Sequence, residues 1–320
     1  MRRTNLPASN LEFVFGDTRF SCIICGKQEW RQYQKLGRYS VLRCQNCGVG
    51  QTYPRPPEKD IIEGNQSIYT AKQREPIYKK RAKELTNRYN RFLSEIENLQ
   101  VVSEKKILDV GCGMGFFLSV AKENGYDTYG VELSQEMVEY ARTQLALTNI
   151  YSGTLGTIQL PEKYFDIITL WDVLEHISDP QSFLKDVSEF LKDEGILAVQ
   201  SPNMNSSMAL LTGENWYWWT VPDHLFHFTP LTMGALLRSS GFDVIKSYTW
   251  ESAFDFWVNL AGNISTKITY QNSLGRLARK MIHIVSQNGW PIVVPFQHRL
   301  WQKGKGGLIV QFAQKRKTSS

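Results

Sequence analysis

Four cysteines are spaced so that they can bind one metal ion. Cys22 and Cys25 belong to SCIICG, Cys44 and Cys47 to CQNCG, which gives C-x2-C-x18-C-x2-C. Each CxxC turn can aim two thiolates at one centre, with Gly26 and Gly48 easing the chain out of the turn. Four thiolates around a tetrahedral cation make a closed structural site, with zinc the expected occupant and iron able to use the same ligands. Such a site has no open coordination position and is assigned no chemistry of its own.

The segment ILDVGCGMGFFL can hold a nucleoside. Gly111, Gly113 and Gly115 remove side chains where backbone must approach a ligand, and Asp109 stands two residues before the first of them. Glu132 follows 21 residues after Gly111, where a carboxylate can accept hydrogen bonds from both ribose hydroxyls. A glycine turn with a distant acid also suits NAD. Two details favour S-adenosylmethionine: the turn is GxGxG rather than GxGxxG, and Asp109 would repel a pyrophosphate but suits an amino group and a sulfonium.

Two further clusters can move protons or hold cations. DVLEHI carries Asp172, Glu175 and His176, and VPDHLFHFT carries Asp223, His224 and His227. His224 is the expected general base, with the Asp223 carboxylate beside it to orient it or balance its charge. His227 reads as a core histidine. At helical spacing, Asp172, Glu175 and His176 share one face, and this donor set suits Mg²⁺ or Zn²⁺. GENWYWW places Trp216, Tyr217, Trp218 and Trp219 just before the His224 segment, as a hydrophobic plug or as a lid that stacks on a ring.

The elements that must position these residues follow from periodicity. After the cysteine module (1–53) come a linker and N-terminal helix (54–100), with a proline-rich start at YPRPPEKD and an apolar stripe that predicts helix over Glu75–Leu99. From Lys105 strands and helices alternate. KKILDV, TYGVEL, FDIITLW, GILAVQ and GLIVQFAQ read as strands. Ser134 starts one helix, Asp179-Pro180 opens another that Gly195 closes, and Thr229-Pro230 opens a third that ends at Gly241. Repeated strand–helix units imply an α/β fold with a parallel sheet covered on both faces. The domain 101–320 is expected to contain a basic helical insertion at 251–306.

Composition bounds the rest. The 320 residues include 42% apolar and 21% charged side chains, which fits a globular chain of about two domains. No apolar run approaches the roughly 18 residues of a membrane-spanning helix, and no apolar stretch follows the N-terminal basic residues as in a signal peptide. Five cysteines are too few for a disulfide scaffold, so the expected location is cytoplasmic. Net charge is +8 over residues 1–100, −12 over 101–260 and +10 over 261–320, which sums to +6, and no acid follows Asp255. The 261–320 region is a candidate for peripheral docking on an anionic membrane, or a helical cap with solvated cations.

At ILDVGCGMGFFL the sequence resembles motif I of the class I S-adenosylmethionine-dependent methyltransferases, D-x-G-x-G-x-G. VELS, YFDIITLWDVLEHISDP and LKDEGILAVQSP extend the resemblance in order, over roughly 105–250. It implies a Rossmann-like, doubly wound, seven-stranded sheet, joined here to a small N-terminal zinc ribbon and carrying the insertion before the last strand. It also implies that Asp109, Gly111, Gly113 and Gly115 hold the methionine part, Glu132 the ribose, and Leu133 the adenine flank. Thr154 occupies the place of the family's adenine-binding acid, which leaves adenine to backbone near Leu155. Trp171 either offers its ring face to the sulfonium or packs in the core.

The cysteine module and the DHLFHF segment resemble bacterial sugar C-methyltransferases with E-H-L-x-x-F-S. There His224 falls on the catalytic histidine, Asp223 on its neighbouring glutamate and His176 on a second active-site histidine, with Tyr69 on the substrate side. Asp172-x-x-Glu175-His176 resembles the E-x-x-E-H metal motif of ubiquinone-type O-methyltransferases and small-RNA 2′-O-methyltransferases. The expected activity is methyl transfer to a small-molecule acceptor, a saccharide or nucleotide sugar. RNA methylation, with the ribbon as the RNA-binding part, is a second reading, weakened by the lack of an aromatic–basic RNA motif. A non-catalytic scaffold with a vestigial pocket is a third, and the complete GxGxG turn argues against it.

Overall fold

The computed structural model describes residues 20–57, 70–99, 104–252, 256, 259 and 298–316. The cysteine module forms β1 (Trp30–Leu36), β2 (Tyr39–Cys44) and β3 (Gly50–Tyr53). A long helix α1 (Ala71–Leu99) leads into β4 (Lys106–Val110), α2 (Phe116–Glu123), β5 (Asp127–Glu132), α3 (Gln135–Gln144) and β6 (Asn149–Ser152). The second half continues with β7 (Phe165–Trp171), α4 (Pro180–Phe190), β8 (Leu191–Pro202) and α5 (Ser207–Thr212). It closes with β9 (Phe226–His227), α6 (Pro230–Ser239), β10 (Phe242–Trp250) and β11 (Leu308–Lys315).

The main sheet has the order β10-β11-β8-β7-β4-β5-β6. Five strands from β8 to β6 run parallel, and β11 inserts antiparallel between β8 and β10. Alternation along each strand decides which layer it supports. Ile107, Ile167, Ile196 and Phe312 pack with residues of α1, α2 and α3. Their chain neighbours Leu108, Ile168, Leu197 and Ala313 pack with residues of α4 and α6. All eight are fully buried, so both faces of the sheet are covered at its centre. Strand order reverses at β4, whose neighbours are β5 and β7. Ligands in such sheets bind outside the carboxyl ends beside that reversal.

Three local findings differ from the expectations. Helix α1 begins at Ala71 and runs through Pro76. The extra turn is held by Ala71, buried against Met114 and Met137, and by the Lys72 N–H donating to Glu136 at 3.4 Å. Gly195 does not close α4. The helix stops at Phe190 because the Lys163 and Tyr164 N–H groups take the Glu189 and Phe190 carbonyls into the start of the sheet. The cysteine module's sheet is completed from outside: β9, about 175 residues on, pairs antiparallel with β3. Asp179 and the Thr229–Thr232 pair cap α4 and α6 at the expected places.

Among the described residues no helix is long and apolar enough to cross a membrane. Tyr69 and most of 251–306, the basic insertion, lie outside the described residues.

Candidate active site

The glycine turn follows β4 and is tied to the next strand by backbone. The Gly111 and Cys112 N–H groups both donate to the Val131 carbonyl, at 2.7 and 3.1 Å. Gly111 has φ 74°, and a Cβ there would lie 2.6 Å from Val173 Cγ2, in the loop after β7. The turn therefore touches the loop that carries Glu175 and His176. At Gly113 a Cβ would meet, among the described residues, only Met137 Sδ, 3.9 Å away, so this part of the turn has room for a ligand against bare backbone. A Cβ at Gly115 would reach 2.6 Å from Leu147 Cδ1, where α2 starts against its neighbours.

Two carboxylates flank the turn. Glu132 ends β5 and accepts from the Gly113 N–H through Oε2 and the Ser134 N–H through Oε1, both at 2.9 Å. Its position is thus fixed by the turn it faces. Asp109 is 2% exposed and accepts from the Thr169 hydroxyl on β7 at 2.7 Å. Burial pushes its carboxyl up to about 8; the Thr169 hydrogen bond opposes this and the Glu132 charge adds to it. A cation brought beside Asp109 would favour the carboxylate. The bare turn, the buried acid and the ribose-side acid fit a cationic nucleoside such as S-adenosylmethionine.

The other residues expected around the cofactor are placed as follows. Leu133 is half-buried directly after Glu132, Thr154 is exposed with its N–H donating to Thr157 Oγ1 at 3.0 Å, and the Leu155 side chain is buried in the core. Trp171 stacks on Phe92, centroids 4.6 Å apart, and meets Phe117 edge-on at 5.3 Å. Core packing accounts for these contacts. Trp216 and Trp219 are buried with Val41, Met204 and Met208, against the cysteine module, so these two indoles form a plug.

In the cysteine module, the sulfurs of Cys22, Cys25, Cys44 and Cys47 all lie within 4.8 Å of one another. Cys22 and Cys47 are 3.4 Å apart and Cys25 and Cys44 3.6 Å. These separations are far longer than a disulfide and close to the edge of a tetrahedron with zinc–sulfur bonds of about 2.3 Å. The donor set fits a structural zinc ion.

The clusters from DVLEHI and VPDHLFHFT meet at the end of β7. Donor atoms of Glu175, His176 and His224 all lie within 4.8 Å of one another. The two imidazoles are edge-to-face, with centroids 4.7 Å apart. His176 Nδ1 and the Asp223 carbonyl are 2.9 Å apart. A carbonyl can only accept, so Nδ1 carries the proton and Nε2 keeps its lone pair. Burial pulls His176 down to about 4, and burial with the neighbouring His176 and His227 pulls His224 well below its ordinary value. Both are neutral at pH 7. Glu175 is 1% exposed, and among the described residues neither of its carboxyl oxygens has a partner within hydrogen-bond distance, although the Ser201 hydroxyl is close enough to favour the carboxylate. Burial and the Asp172 charge push its carboxyl up.

Two expectations are corrected here. Asp172 does not share a helical face with Glu175 and His176. It sits in the left-handed region at φ 57°, and only Leu174–His176 form a short 3-10 turn. Its carboxylate is held instead by Gln200 Nε2 at 3.1 and 3.2 Å, and His224 takes its place in the donor set. The Asp223 carboxylate makes no hydrogen bond to His224 among the described residues. It is the Asp223 backbone carbonyl that enters the cluster, while burial pushes its carboxyl up. His227 is a buried core histidine, pulled down to about 3 by burial, with Trp219 edge-on at 5.0 Å. Thr169, Gln200 and Thr52 were not singled out by sequence. The signal for the first was a hydroxyl inside the otherwise apolar end of a strand, IITLW.

A family model described as "Methyltransferase domain" matches residues 78–247, more than half of the chain. Ubiquinone biosynthesis O-methyltransferase, mitochondrial, from Schizosaccharomyces pombe is 30% identical over 148 residues, 44% of this chain and 52% of that protein. Ubiquinone biosynthesis O-methyltransferase from Coxiella burnetii is 30% identical over 124 residues, 38% of this chain and 53% of that protein. The chain thus spans about half the length of the curated relatives it matches. A crystal structure of a SAM dependent methyltransferase from Archaeoglobus fulgidus covers 73% of this chain and 94% of its own, at 22% identity and TM-score 0.48. With the matched region running from α1 into β10, across the glycine turn and the His224 loop, the chain belongs to the methyltransferase domain family, in its class I S-adenosylmethionine-dependent form.

Proposed function

We propose that the protein transfers the methyl group of S-adenosylmethionine to a hydroxyl of a small acceptor, a saccharide or nucleotide sugar, at the site of Glu175, His176 and His224. The observation that carries this reading is the convergence of these side chains, from segments 48 residues apart, beside the glycine turn. The acceptor oxygen attacks the methyl carbon in line with the S–CH₃ bond, the S–C bond breaks, and S-adenosylhomocysteine leaves. The hydroxyl proton passes to the neutral imidazole of His224. His176, with its Nδ1–H committed to Asp223, offers only a lone pair to the same space. The Glu175 carboxyl, with an oxygen within 4.8 Å of a His224 ring nitrogen, can accept a hydrogen bond from the resulting imidazolium. A hydroxyl as acceptor is supported by the relatives, which are named O-methyltransferases. A saccharide is supported by the likeness of the cysteine module and the His224 segment to sugar C-methyltransferases, while the hydroxyl as acceptor rests on the relatives alone.

A second role for the same residues is favoured by one observation, the buried Glu175 carboxyl, whose oxygens have no partner within hydrogen-bond distance among the described residues. One carboxylate and two neutral imidazoles fit a divalent cation. When bound, the ion would lower the pKa of the acceptor hydroxyl. The four-thiolate centre is assigned to structural zinc.

The test is transfer of labelled methyl from S-adenosylmethionine to a panel of nucleotide sugars, lipid-linked glycans, phenols and RNA. Each acceptor is assayed with wild type, His224→Ala and added chelator. Labelling of a sugar, lost by at least 100-fold in His224→Ala, supports the proposal. Labelling confined to RNA, or undiminished in His224→Ala, contradicts it.

A further inference from the structure

The loop that carries His224 has no regular structure until Phe226, yet its backbone is fixed from three directions. The Thr220 carbonyl accepts from the His224 N–H at 2.8 Å, and the Glu175 carbonyl accepts from the Leu225 N–H at 2.8 Å. The third support comes from the cysteine module. Thr52, five residues after Cys47 and 1% exposed, donates from its N–H to the Leu225 carbonyl at 2.9 Å. Its hydroxyl donates to the His224 carbonyl at 2.6 Å and lies 3.0 Å from His227 Nε2. A threonine hydroxyl has one proton. With that proton given to His224, the oxygen can only accept from His227, so His227 carries its proton on Nε2 and leaves Nδ1 bare. Thr52 therefore fixes the carbonyl of one histidine and the tautomer of another. Gly50 allows the approach: a Cβ there would lie 2.9 Å from His227 Cβ, so β9 can lie directly on β3.

We propose that Thr52 is a positioning residue for His224, and that the cysteine module is a built-in wall of the acceptor site rather than a separate recognition domain. The catalytic part of this inference rests on the role proposed above for His224. The positioning part rests on the geometry alone. Removal of the hydroxyl frees the His224 carbonyl and the His227 Nε2–H together, because one oxygen serves both. The effect reaches the acceptor side of the site and leaves the cofactor side unchanged, since among the described residues no hydrogen bond links Asp109, Gly113 or Glu132 to Thr52.

The test uses the full chain labelled with ¹⁵N-histidine, and compares wild type with Thr52→Val and Thr52→Ser by long-range ¹H–¹⁵N correlation of the imidazoles. Wild type is expected to show His227 as the Nε2–H tautomer. Thr52→Val is expected to move the His224 and His227 ring signals, and Thr52→Ser to restore them. S-adenosylhomocysteine should bind all three within a factor of two. On whichever acceptor the panel identifies, Thr52→Val should lower kcat by about 10-fold without raising the KM for S-adenosylmethionine. If Thr52→Val does not fold, Thr52→Ala carries the same comparison. Unmoved His224 and His227 signals in a folded variant overturn the proposal. Moved signals, with transfer that His224→Ala leaves intact, uphold the positioning and sink the catalytic role of His224 instead.

Discussion

Asp109 should make this protein less stable as pH rises through the neutral range. The carboxyl is 2% exposed, and its one described hydrogen bond, from Thr169, does not offset the cost of burying a charge. Its folded-state value of about 8 stands above the ordinary value of about 3.9 for an unfolded chain. Between these values the folded form keeps a proton that the unfolded form has lost. Stability is then fully present below pH 4 and declines as pH rises towards 8, at up to about 1.4 kcal/mol per pH unit. From pH 5.5 to 7.5 this one group costs roughly 2.5 kcal/mol, a large share of a typical folding free energy. Asp109→Asn keeps the shape and an oxygen for the Thr169 hydroxyl but removes the titration. Urea unfolding at pH 5.5, 6.5 and 7.5 should show the variant's decline with pH to be shallower by about 1.4 kcal/mol per unit, and the variant the more stable form at pH 7.5. Cofactor binding gives the same prediction from the other side. At pH 7 a group of pKa 8 is about nine-tenths protonated. The cationic ligand should expel about 0.9 proton, read as a dependence of binding heat on buffer ionisation enthalpy. Parallel stability curves for wild type and Asp109→Asn, with no proton release, would falsify this reading of Asp109.

Gly111→Ala should cost about 2–4 kcal/mol, from a left-handed backbone and a Cβ 2.6 Å from Val173 Cγ2. Val173→Ala in the same chain should recover the steric part, as urea midpoints would show. Trp171→Ala should lower stability by about 3 kcal/mol through the lost stacking on Phe92, with S-adenosylmethionine affinity unchanged within twofold; a tenfold loss of affinity would instead place the ring at the sulfonium. Metal analysis should find one zinc per chain at the cysteine centre. Stripping it should expose four thiols to a thiol reagent and shift the His224 ring signal through Thr52.

The fold was legible where single segments decide their own structure. Strands such as FDIITLW are buried on both faces and so read as mostly apolar, with Asp166 and Thr169 the exceptions. Asp179-Pro180 and Thr229-Pro230 mark helix starts with residues that can hardly serve elsewhere. The cysteine spacing and the GxGxG turn are local too, because each needs only a few adjacent residues at fixed intervals. What failed to show in the sequence depends on partners far along the chain. Spacing alone put Asp172 on a helical face with Glu175. The chain instead turns left-handed at Asp172 to meet Gln200 from β8, and His224 comes in from a separate loop. Likewise β9 is two residues long and has no strand signature, since its edge is supplied by β3. The early end of α4 has the same cause, a pairing with Lys163 and Tyr164 that no helix-stop residue announces.

The pocket between Asp109 and Glu132 is tested most directly by calorimetric titration of S-adenosylmethionine and of NAD into wild type and Glu132→Ala. Wild type should bind S-adenosylmethionine with a micromolar dissociation constant and ignore NAD, while Glu132→Ala loses at least tenfold in affinity. Tight binding of NAD with no heat from S-adenosylmethionine would contradict the assignment of this turn to a sulfonium nucleoside.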